Sequence, residues 1–233
     1  MLDFALTAGL LASILHVITG PDHLAAVLPF AIETKRKAWK IGLSWGIGHL
    51  VGMIAIGVLF VLFKEIIPVE KISEHSEQLV GVVLIGIGFW AFYKIFKTKK
   101  NHKHLHIHSE EAPIIHKHKH KHTHNITHQH KHPKDLKQSY FASFWIGILH
   151  GLAGISHFLI LLPVLGFKSQ TDSVLYIVGF GSGIILAMTT FAFVIGKIAS
   201  SAKAGHNDFF FNGIRLAGGL FAIVIGIYWC FSF

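Results

Sequence analysis

The stretch LLASILHVITGPDHLAAVLPFA, residues 10–31, carries His16, Asp22 and His23 within a run otherwise apolar enough to enter a lipid bilayer. Ionisable side chains at bilayer depth cost roughly 2.5–3.5 kcal/mol each on insertion scales, so three of them so close together need a compensating role. Metal coordination is the first to consider. A second version of the stretch, ILHGLAGISHFLILLPVLGF, begins at Ile148. Aligning His16 with His150 also aligns Gly20 with Gly154, His23 with His157 and Pro29 with Pro163.

Outward from this stretch the chain is apolar almost throughout. Of its 233 residues 52% are hydrophobic and 14% charged. Apolar runs long enough to cross a bilayer core of about 30 Å lie near 4–31, 39–63, 78–96, 140–165, 173–198 and 209–232. They leave no room for a soluble catalytic domain, and the chain reads as an all-α integral membrane protein with six transmembrane helices. The first run has no Lys or Arg before it and is longer than a secretory signal core, so it reads as a retained span. Cys230 is the single cysteine, which excludes an intramolecular disulfide and electron carriers that shuttle a thiol pair.

The net charge of +9 is a topology signal. Eighteen of the 21 Lys and Arg residues fall in loops 1–2, 3–4 and 5–6 with their flanking span ends. Loops 2–3 and 4–5 hold only Lys64, Lys71 and Lys168. Basic loops stay in the cytoplasm, which predicts an integral cell-membrane protein with both termini outside. Nucleic acid is not an expected partner; membrane lipid and transition-metal ions are, and the sequence leaves the oligomeric state open.

Three spans precede the loop and three follow it. WGIGHLVGM (45–53) is answered by FGSGIILAM (180–188), and GVVLIGIGFW (81–90) by GLFAIVIGIY (219–228). Because three is odd, the second half enters the membrane from the opposite side, giving two inverted three-helix repeats, a recurring plan for secondary transporters. The expected divisions are a first repeat over 1–96, a cytoplasmic His/Lys-rich loop over 97–139 and a second repeat over 140–233. Residues 101–132 hold twelve of the 19 histidines and too little apolar surface to fold alone, so that tract is expected to be disordered.

Neutral imidazole suits Ni, Co, Zn, Cu and Fe ions, and a carboxylate adds charge compensation. The candidate ligands are His16, Asp22, His23, His49, His150 and His157. In a continuous helix His16 and His23 share a face but stand about 10 Å apart along the axis, too far for one ion. Either a break at Gly20-Pro21 brings them together, or they serve successive positions along a path. Each also has a structural alternative: an interhelical hydrogen bond of about 1 kcal/mol for the histidines, and capping of the helix after the break for Asp22.

His16, then Asp22-His23 in one span, followed by Gly48-His49 in the next, resembles the nickel/cobalt transporter (NiCoT) family and its efflux-type relatives. The resemblance implies a polytopic permease for Ni²⁺ or Co²⁺ and carries over to His16, Asp22, His23 and His49. Five residues, Val17 to Pro21, separate His16 from Asp22 where the family pattern has four, and the chain has six spans where uptake members have eight. The expected function is transport of a divalent transition-metal cation as cargo, with no resident cofactor. A membrane-anchored metal sensor or store working through the loop, and an inverted-repeat permease for a non-metal solute, are the alternatives. No His-Glu-x-x-His or Gly-x-Ser-x-Gly motif occurs, so an enzyme is not expected.

Overall fold

A computed structural model describes residues 4–63, 69–99, 102–107, 115–120, 135–153, 163–204 and 208–231. The described helices are α1 (Phe4–Thr19), α2 (Pro21–Thr34), α3 (Trp39–Phe63), α4 (Val69–Lys99), α5 (Asp135–Leu152), a single turn α6 (Pro163–Gly166), α7 (Gln170–Ala204) and α8 (Asp208–Phe231). A 3₁₀ turn, Lys35–Lys37, joins α2 to α3.

The expected break in the first span is present. Gly20 is extended, with φ −89° and ψ 94°, and Pro21 begins α2 at the first helical position. There proline's missing N–H costs nothing and its fixed φ suits the helix. α1 and α2 meet at a bend of 73°. α2 ends at Lys35, whose φ of 55° is unusual for a residue with a Cβ.

Four helical segments are long and apolar enough to span a bilayer: Trp39–Val58, Glu77–Phe96, Gln170–Ala202 and Phe209–Phe231. The bent α1–α2 pair passes the same criterion as a fifth. The expected fourth span is described only over its first part, where the apolar helix Tyr140–Leu152 falls short of a full crossing. Residues 154–162, the middle of that run, lie outside the described residues. The described chain thus carries four or five candidate spans rather than the six read from hydropathy.

The helices pack in pairs: α1 along α7, α3 along α5, α4 along α8, with α3 also against α7. Small residues set the separations, since lipid supplies no hydrophobic drive between helices and close backbone contact takes its place. A Cβ at Gly48 or Gly52 would run into the backbone of Phe144 or Ile148, and one at Gly147 or Gly151 into that of Trp45 or His49. Ser44 Oγ donates to Tyr140 O at 2.7 Å and Ser143 Oγ to Ile41 O at 3.0 Å, fastening the same pair. On α4 and α8, Gly81 meets Gly226 and Gly88 meets Gly219, so these two helices run antiparallel. The core between the pairs is built from Ile41, Trp45, Met53, Leu84, Phe180, Ile184 and Met188. The perimeter exposes Leu15, Val51, Ile54, Val82, Phe89, Leu186, Leu220 and Val224, the inverse of a soluble protein's surface and suited to acyl chains.

In the histidine-rich tract expected to be disordered, β1 (His102–Ile107) and β2 (Ile115–His120) pair antiparallel, with His102 opposite His120, His104 opposite His118 and His106 opposite His116. The expectation of disorder does not hold for these two paired segments.

Candidate metal centre

The bend at Gly20 determines the site. It folds the start of α2 back on the end of α1, so that the His16 and His23 rings stand 4.6 Å apart between centroids at an interplanar angle of 82°. His49 reaches the same place from α3, 5.0 Å from His23 and 6.3 Å from His16. His150 arrives from the last turn of α5, 5.1 Å from His23. Asp22, His23, His49 and His150 are buried, none more than 2% exposed, and His16 is half-buried. His157 lies outside the described residues.

Asp22 joins two of these rings. Its Oδ1 is 3.1 Å from His23 Nδ1 and its Oδ2 is 2.8 Å from His150 Nε2. An ionised carboxylate only accepts hydrogen bonds. Both rings therefore donate to it, which places the lone pair on Nε2 of His23 and on Nδ1 of His150. Such a carboxylate fixes tautomer and ring orientation in metal-binding histidines. The capping role for Asp22 does not hold: the N-cap of α2 is Gly20, with no side-chain cap.

Two groups of three donors have the proximity that a metal ion requires. His16, His23 and His49 form one, and Asp22, His23 and His150 the other, with one donor atom from each residue lying within 4.8 Å of the others in its group. His23 belongs to both. The two groups therefore overlap at one imidazole.

Sequence reasoning missed one residue of the site and part of the role of another. The Trp45 indole stacks on His49 at 4.7 Å and 13° and lies 5.4 Å from both His23 and His150. Its spacing of four residues before His49 puts the two on one helical face, which was the available signal. Gly20 is the other. A Cβ there would intrude on His23 Nδ1 and stand 3.0 Å from Asp22 Oδ1, so glycine leaves space for the hydrogen-bonded pair as well as making the bend.

Compared with known proteins, the chain matches the family described as the cytochrome C biogenesis protein transmembrane region over residues 4–228. It is 32% identical to the urease accessory protein UreH of Bacillus sp. (strain TB-90) over 233 residues, covering 97% of this chain and 90% of that protein. It is also 30% identical over 201 residues to the Chloroplast protein FOR GROWTH AND FERTILITY 1 of Arabidopsis thaliana, covering 84% of this chain and 50% of that one. The corresponding protein 2 is 28% identical over 198 residues, with coverages of 84% and 48%. The chain thus spans about half the length of these two plant relatives. No solved structure matches it. The matched family is described as a transmembrane region, in keeping with the apolar helices.

Proposed function

This chain belongs to the family described as the cytochrome C biogenesis protein transmembrane region and is UreH-like, and from that premise we propose that it is of nickel/cobalt transporter type and carries a divalent transition-metal cation, Ni²⁺ or Co²⁺, across the cell membrane. The observation that carries the reading is the pair of overlapping donor groups sharing His23, buried among helices whose outer faces are apolar.

A hydrated dication does not enter hydrocarbon, so its water ligands must be replaced one by one. His16, His23 and His49 supply three neutral nitrogens, and Asp22 with His150 adds a mixed set one step away. Ligation by Asp22 competes with the hydrogen bonds it accepts from His23 and His150. That competition weakens binding at the mixed set and so favours release, which a carrier needs as much as capture. Trp45, stacked on His49, limits the rings' freedom to turn out of register.

The proposed frame is two inverted three-helix repeats, 1–96 and 140–233, separated by the loop 97–139 on the cytoplasmic side, with both termini outside. The reciprocal contacts Gly81–Gly226 and Gly88–Gly219 support it, because repeat alignment exchanges Gly81 with Gly219 and Gly88 with Gly226. The two halves of the site differ: Ser156 aligns with Asp22 and Ile184 with His49. The charged part of the proposed site therefore belongs to the first repeat, with His150 reaching in from the second.

Metal flux in proteoliposomes tests the proposal. The purified protein should move Ni²⁺ or Co²⁺ above the rate of empty vesicles, and His23→Ala, which removes the donor common to both groups, should abolish that flux. No flux of any transition metal, or undiminished flux in His23→Ala, overturns it.

A further inference from the structure

The helix that carries Asp22 and His23 in its first turn is tied down at its other end by a partly buried ion pair. Glu33, at the last turn of α2, stands about 16 Å along the axis from Asp22 at 1.5 Å per residue. Glu33 Oε1 lies 2.6 Å from Arg215 Nε on α8, and Arg215 Nη2 donates to Oε2 at 2.9 Å. The Nη2 hydrogen bond is charge-assisted, the stronger class of hydrogen bond, and the close Nε–Oε1 approach adds ion-pair attraction. The arginine and glutamate side chains are 10% and 20% exposed. The guanidinium also lies 4.5 Å over the Phe211 ring, and Phe211 packs with Ile32, Ala199 and Ala202. α8 comes close to α2 here: a Cβ on Gly218 would stand 2.9 Å from Ile32 Cδ1.

A buried ion pair is a poor device for stability, since apolar residues of similar volume often do as well or better, and fixing register is its best-attested use. The repeat sharpens the point. At the offset that aligns His16 with His150, Glu33 corresponds to Phe167. At the offset that aligns the last spans, Arg215 corresponds to Glu77. The other half therefore has no Glu–Arg pair at the matching place, and the pair acts on the half whose helix carries Asp22.

We propose that Glu33–Arg215 is the positioning latch of the metal site: it fixes α2 against α8 and so holds Asp22 and His23 in reach of His49 and His150. The proposal rests on the metal-site reading above. Its test is Co²⁺ binding to the full-length protein in detergent, followed by the visible absorption of the bound ion, which reports ligand geometry. Glu33→Gln and Arg215→Gln should each weaken binding about tenfold, the lower end of the loss seen when partners that orient ligands are removed, and should alter the Co²⁺ spectrum. The exchange Glu33→Arg with Arg215→Glu should recover most of the affinity and the spectrum. Arg215→Lys, which keeps the charge but not the planar guanidinium that places Nη2 on Glu33, serves if Arg215→Gln does not yield folded protein, and should show the same spectral change. Single variants with unchanged affinity and spectrum overturn the latch alone, as does an exchange variant that folds yet is no better than the singles. Absence of Co²⁺ binding by the unmodified protein removes the metal reading and the latch with it.

Discussion

Asp22 is where the chemistry concentrates, because one carboxylate sets two imidazoles at once. Asp22→Asn keeps the shape but removes the charge and replaces one accepting oxygen with a donor, leaving His23 and His150 unable both to keep their present partner. Metal affinity should fall about 10–100-fold by calorimetric titration of the purified protein, with helix content unchanged by circular dichroism. Gly20 makes a sharper prediction. Its φ and ψ are open to other residues, so a penalty for Gly20→Ala comes from the Cβ meeting His23 and Asp22 rather than from backbone strain. The expected result is a loss of Co²⁺ affinity of about tenfold or more, by analogy with lost orienting partners, without a matching loss of thermal stability. Histidine type and spacing made His16, His23, His49 and His150 legible as candidates in the sequence. The role of Asp22 was not legible, because its choice between capping and side-chain partners depends on His150, 128 residues away.

At the level of elements, glycine spacing determines which helices touch. Gly81 and Gly226 face one another across α4 and α8, and the backbone carbonyl of each occupies the space a side chain on the other would need. Gly81→Leu should force the pair apart at a cost of about 1–3 kcal/mol, typical of overpacking. The apparent unfolding midpoint in detergent should drop by several degrees, the shift expected for that loss in a chain of this size. Gly86, which would meet nothing on gaining a Cβ, gives the control: Gly86→Leu should leave the midpoint near that of the parent. The four-residue recurrence of glycine in the second span announced a contact face, but not its partner. Lipid-facing and helix-facing residues are both apolar here, so hydropathy cannot tell which way a span turns.

For the whole molecule, the separation of loop from membrane part yields a prediction that divides the competing functions. Removing residues 101–132 takes away twelve histidines but none of the four clustered with Asp22 on α1, α2, α3 and α5. The shortened protein should retain measurable Ni²⁺ or Co²⁺ flux in proteoliposomes. Complete loss, in protein that remains folded, would instead support a sensor or store working through the tract. The membrane character and the number of apolar runs were plain from composition, because about twenty apolar residues in sequence have few other stable destinations.

The sequence by itself determined that this chain lies in a membrane, that stretches of its two halves echo one another and that imidazoles and a carboxylate fall within its apolar runs. Each of these follows from residue type and spacing, which are local. Only the tertiary structure decided that a 73° bend joins His16 to His23, that His49 and His150 come to the same point, and that Trp45 and Glu33–Arg215 surround and brace it. Those outcomes depend on which apolar faces pack together, and that choice is made by shape between distant helices.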